Sequence, residues 1–151
     1  MTQSQISRTA AACIAVLALG APQLALAEKP IKEIMGENFG GLQVILYSLI
    51  RGDYRAVPGQ VDVIATHAEE LTHMAPKGLS KDDRAQFLAY ATNMGAHATD
   101  LKTISQTLMK RDEAREEAAS DELREALAGH YGGMVTMCVS CHNRFRPDIV
   151  E

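Results

Sequence analysis

The sequence predicts an all-α protein, an antiparallel four-helix bundle. Three observations carry that reading: four apolar segments of helical period, short turn signals between them, and a composition unsuited to sheets. Aromatic residues make up only 5% of the 151-residue chain and Trp is absent, while Ala, Leu and Met are plentiful. Helices accept that mixture, whereas a β-sandwich draws on Val, Thr, Tyr and Trp. A chain of this length is expected to build one domain around one core.

Residues 1–27 read as a cleaved Sec-type signal peptide rather than as fold. Arg8 supplies a lone positive n-region, Ala10 to Leu19 an apolar h-region, and Ala25-Leu26-Ala27 a small-x-small cleavage site. Gly20, Pro22 and Gln23 break the apolar run before it can span a bilayer, so no membrane anchor is expected. Cys13 lies inside this leader, without the residues that would mark a lipoprotein. The mature chain, 28–151, carries 14 basic and 19 acidic residues, a formal charge of −5, and its expected location is the periplasm. The basic footprint of a nucleic-acid binder is missing. Modest acidity keeps a protein soluble and suits a positively charged partner.

The first helix is predicted from Ile31, Ile34, Met35, Leu42, Ile45, Leu46 and Leu49, and Gly52-Asp53 stops it. Gly40-Gly41 weakens its middle and permits close packing there. The second opens around Pro58, turns Val61, Ile64, Ala68 and Leu71 inward, and ends before Pro76-Lys77-Gly78. The third follows Ser80, with Asp82 and Asp83 complementing the dipole of its first turn. Its inward stripe is Phe87, Ala91, Met94, Ala98, Leu101, Ile104 and Leu108. The charged stretch from Lys110 to Glu117 leads into the fourth, whose stripe runs Leu123, Leu127, Tyr131, Met134, Cys138, Cys141 and Phe145. A helix that continues through this segment turns both cysteines to the core, one turn apart.

Cys138-Val139-Ser140-Cys141-His142 spells C-x-x-C-H, the pattern of c-type haem attachment. Thiols at i and i+3 leave one helical turn together and can add to two vinyl groups on one haem edge. The adjacent His142 is then the proximal iron ligand. Export agrees, since bacterial haem attachment of this kind takes place outside the cytoplasm. A zinc site would need a second ligand pair, which the sequence lacks. A thioredoxin-like pair would follow a βαβ pattern and open a helix, and a plain disulfide would not call for the histidine. One motif means one haem c.

Only nine residues follow His142, unlike the common small cytochromes c, whose motif stands near the N-terminus. A C-terminal C-x-x-C-H on the last helix of a four-helix bundle resembles the class II cytochromes c, the cytochrome c prime family with its low-spin relatives. Cys138 to Arg146, CVSCHNRFR, is similar to that family's ending. Ile34 to Leu42, IMGENFGGL, and the later Ile50-Arg51-Gly52-Asp53-Tyr54 resemble its first helix and following turn. The resemblance covers the whole mature chain and is most specific at the C-terminus. It implies thioethers at Cys138 and Cys141, a proximal His142, and a homodimer built on the first two helices.

The family divides on the far side of the iron. An apolar first-helix residue there leaves five-coordinate iron that takes NO or CO. A Met there gives low-spin iron that carries electrons. A gapless comparison places Lys32 at that position, unlike either subtype; a lysine ligand would have to be deprotonated. Met35 stands one turn on and is the candidate distal ligand, with core packing as its alternative. Met94, Met134 and Met137 read as packing. His67 with Glu70, and His97 with Asp100, read as i,i+3 polar pairs. Arg144 and Arg146 are candidates for pairing with haem propionates, and Gly132 and Gly133 for close approach of the haem plane. The expected function is one-electron transfer with periplasmic redox partners. Gas binding at five-coordinate iron is the alternative, and no arranged acid–base pair near the motif points to an enzyme.

Overall fold

A computed structural model describes residues 29–114 and 120–149. The leader, residues 1–27, and the Cys13 within it lie outside the described residues. Four helices account for nearly all of the described chain, short turns join the first three, and no strand occurs among the described residues. They are α1 (Ile31–Arg51), α2 (Val57–His73), α3 (Lys81–Ala114) and α4 (Ser120–Ile149). A 3₁₀ turn at Tyr54–Ala56 joins α1 to α2.

Local chemistry sets the boundaries. At the start of α1 the Pro30 carbonyl accepts from the N–H groups of Glu33 and Ile34. Gly52 ends the helix at φ 68°, a left-handed geometry that costs glycine nothing. Its N–H donates to the Leu49 carbonyl, and that of Asp53 to the Ser48 carbonyl. Asp53 then caps the 3₁₀ turn by accepting from the Arg55 N–H. Pro58 sits in the first turn of α2, where its missing N–H is harmless. The Ser80 hydroxyl accepts from the Asp83 N–H at 3.1 Å and donates to the Asp83 carboxylate at 2.8 Å. α3 runs more than one turn further than the apolar pattern requires, taking Lys110 to Ala114 into the helix.

The helices pack antiparallel in sequence order. Between α1 and α2, Asn38 meets His67, and a Cβ on Gly41 would come within 3.3–3.7 Å of Gln60 and Ile64. Between α2 and α3, Asp62 meets Lys102 while a Cβ on Gly95 would stand 3.3 Å from the Ala68 methyl. Between α3 and α4, Asp83 meets Arg144 and Met94 meets Cys138. α1 also touches α4, so the four helices enclose one core, as a helical bundle does. Ile34, Ile45, Val57, Ile64, Phe87, Leu101, Leu108, Leu127 and Met134 are fully buried there.

The inward stripes hold with specific departures. Ile104 is only partly buried, and Ser105 beside it takes the inner place, its hydroxyl satisfied by the Lys102 carbonyl. Leu46 points outward at 42% exposure. It joins Phe39, Tyr47 and Ile50 in an apolar face on the outside of α1.

Candidate functional site

α4 carries Cys138 and Cys141 one turn apart, and both sulfurs face a single cleft at the end of the bundle. α1 contributes Met35 to its wall, α2 Leu71, and α3 Phe87, Tyr90, Ala91 and Met94. Met137 and His142 complete it from α4. The cleft is shallow, with about 20 Å³ of cavity space, and opens to solvent. Its base is aromatic: Phe145 packs edge-on against Phe87 at 5.7 Å and against Tyr90 at 6.4 Å. Cys141 is buried, Cys138 and Met35 are half-buried, and His142 is exposed at the mouth.

Both cysteines are free thiols. Burial raises the pKa of Cys138, and burial together with the neighbouring Cys138 pushes that of Cys141 up to about 11. The cleft therefore presents two protonated, oriented thiols to any apolar ligand that enters. The Cys138 sulfur lies 3.9 Å from the Met94 sulfur. Among the described residues, no group of three or more His, Cys, Asp or Glu side chains is placed to hold a metal ion.

A haem can be tested against this donor set. The thioether anchors require two unpaired thiols on one helical turn, and Cys138 and Cys141 meet that need. The porphyrin requires apolar walls, which Leu71, Phe87, Ala91 and Met94 supply. The iron requires a nitrogen ligand beside the anchors, and His142 is free of protein partners inside the cleft's lining. The residues present fit the group.

Met35, Cys138, Cys141 and His142 are thus brought together, whereas Lys32 is exposed and stands outside the cleft lining. Met94 and Met137, read from sequence as packing, line the cleft as well. Leu71, Phe87 and Tyr90 were not expected as site residues. Their signal was the register of α2 and α3, which only the antiparallel packing converts into proximity.

Several polar residues find partners other than those expected. His67 does not pair with Glu70. Its Nδ1 lies 2.7 Å from Asn38 Oδ1 and its Nε2 3.1 Å from Glu37, bracing α2 on α1. His97 meets His130 across α3 and α4, Nδ1 to Nδ1 at 3.2 Å, and Asp100 turns to His130 at 3.4 Å. Gly133 makes room for that contact: a Cβ there would lie 2.5–2.8 Å from the His97 ring. Gly132 has open space beside it. Arg144 is engaged by Asp83 in two hydrogen bonds of 3.0 and 2.7 Å. The Arg146 side chain lies outside the described residues.

Comparison with family models, with curated proteins and with solved structures gives no match for this chain. No helix among the described residues is long and apolar enough to cross a membrane.

Proposed function

We propose that this chain is a periplasmic monohaem c-type cytochrome of the class II type, and that it carries single electrons as a homodimer. One observation carries the reading: the two free thiols of a C-x-x-C-H motif, its histidine and a first-helix methionine line one apolar cleft. Cys138 and Cys141 would hold haem c through two thioethers, each thiol adding its sulfur and proton across one vinyl group. His142 would supply the proximal nitrogen and Met35 the distal sulfur. The bound haem supplies reversible one-electron chemistry.

The chain's own residues do the rest. Phe87, Ala91 and Leu71 line the cleft and would keep water from a bound haem, which would favour its less charged state and raise its potential. His142 and Val139, the latter at 52% exposure, are exposed, so a haem held at this motif would lie within reach of a redox partner. The homodimer is supported by the apolar outer face of α1.

Expression with a haem-attachment system tests the first part. The denatured protein should keep its haem through acid-acetone extraction, and Cys138→Ala or Cys141→Ala should weaken or abolish that retention. An exported protein that carries no haem would overturn the reading.

Met35 decides between electron transfer and gas binding. It is the one first-helix donor in the cleft, and every other residue contributed by α2 and α3 except Tyr90 and Met94 is hydrocarbon. With Met35 as ligand, the ferric protein should show a near-infrared sulfur-to-iron band and the reduced protein should take up CO poorly. Met35→Ala should become high-spin and CO-reactive. A wild type that is already high-spin and binds CO or NO readily makes Met35 a packing residue and the protein a gas binder.

A further inference from the structure

We propose that, before haem is attached, Cys138, Cys141 and Met94 form a binding site for a soft monovalent metal ion, with Cu(I) as the ion it fits. The site is independent of the haem reading, since it rests on the free thiols and the thioether facing them.

Geometry comes first. A metal bound to sulfur at ~2.3 Å holds two sulfur ligands about 3.8–4.0 Å apart at tetrahedral to trigonal angles. Cys138 Sγ and Met94 Sδ stand 3.9 Å apart already, on facing helices, without a metal to draw them together. Cys141 lies one turn from Cys138 and lines the same cleft. The third sulfur therefore comes from the same helical face as the first.

Softness then selects the ion. Thiolate and thioether sulfur favour Cu(I) among the available metals, and a thioether offers little to Zn²⁺. Cu(I) takes both cysteines as thiolates, so loading releases one proton from each thiol, and the Met94 thioether completes the three-sulfur site. The ion would occupy the sulfur that haem attachment needs, so the two ligands exclude each other.

The test uses the reduced chain from Glu28 onward, which contains every described helix, produced without haem attachment. Anaerobic titration with Cu(I) against a chromophoric Cu(I) chelator should show one tight site. Met94→Leu, nearly equal in volume, should weaken it by at least about tenfold, the scale on which loss of a supporting group weakens a metal site. Met134→Leu, buried but outside the cleft, should leave it unchanged. X-ray absorption at the copper edge should count three sulfur neighbours, a readout that needs no variant. Two sulfurs in a linear site, equal affinity in Met94→Leu, or tighter binding of Zn²⁺ than of Cu(I) would overturn the proposal. Haem-loaded protein, its thiols already spent, should take no Cu(I) there. Failure of haem attachment in the exported protein would sink the proposed function and leave this titration readable.

Discussion

At Gly133 the absence of one carbon decides where another side chain stands. A methyl group there would overlap the His97 ring, which leans into the gap to meet His130. Gly133→Ala should gain up to about 1 kcal/mol of helix propensity. It should lose about 1–3 kcal/mol to displacement of a packed ring, for a net fall in stability. In His97→Ala the ring is gone, and Gly133→Ala in that background should stabilise instead. Denaturant melts of the four proteins give the sign of the coupling; additive effects would show that the ring yields freely. None of this was legible in the sequence, where Gly132-Gly133 suggested room for a haem. A glycine announces a close approach but not which neighbour makes it. The same limit applied to His67 and His97: helical spacing offered Glu70 and Asp100, while the interhelical partners Asn38, Glu37 and His130 won. That Cys138, Cys141, His142 and Met35 face one cleft was readable, because it follows from local spacing and from the inward faces of α4 and α1.

The helices themselves were legible for the same reason. Period, caps and turn residues are local, so α1 to α3 begin or end where Gly52, Pro58 and Ser80 indicated. What the apolar pattern could not set was the length of α3, because Lys110 to Glu113 continue it on charged residues as far as Ala114. The ends are tied by carboxylates whose titration has a direction. Hydrogen bonds from Arg144, and then from Ser80, hold the Asp83 carboxyl below its ordinary range, and Arg55 brings Asp53 down to about 2. A carboxylate with a lowered folded-state pKa contributes stability that is fully present above the unfolded value and disappears as pH falls through the folded one. The α3–α4 tie and the α1–α2 turn should therefore weaken together between roughly pH 4 and pH 2. Both groups face solvent, so screening keeps the effect modest. Unfolding midpoints measured across that window should fall in the wild type and flatten in Asp53→Asn/Asp83→Asn. An unchanged slope in the double variant would assign acid sensitivity to other groups.

For the whole molecule, the unanswered surface is the outer side of α1. Phe39, Tyr47 and Ile50 are 64%, 61% and 75% exposed, and Leu46 and Val63 add to the same pair of helices. Spaced by eight and three residues, the first three share one helical face. Soluble monomers seldom leave so much large apolar surface together, and a two-fold partner can cover it with an identical copy of itself. The patch occupies the middle and C-terminal turns of α1, whereas Met35 reaches the cleft from its first turns. Two copies joined through α1 and α2 would thus leave the cysteine-bearing cleft uncovered, with two haem edges available to redox partners. In sedimentation at micromolar concentration the wild type should run as a dimer. Ile50→Glu places a charge on a side chain that the single chain already exposes, so the fold should lose no more than about 0.5 kcal/mol. The dimer would have to bury that charge twice and should dissociate. The variant should run as a monomer of unchanged helical content and unchanged haem retention. A wild type that stays monomeric, or an Ile50→Glu dimer of equal stability, would show that α1 meets solvent and not a second copy.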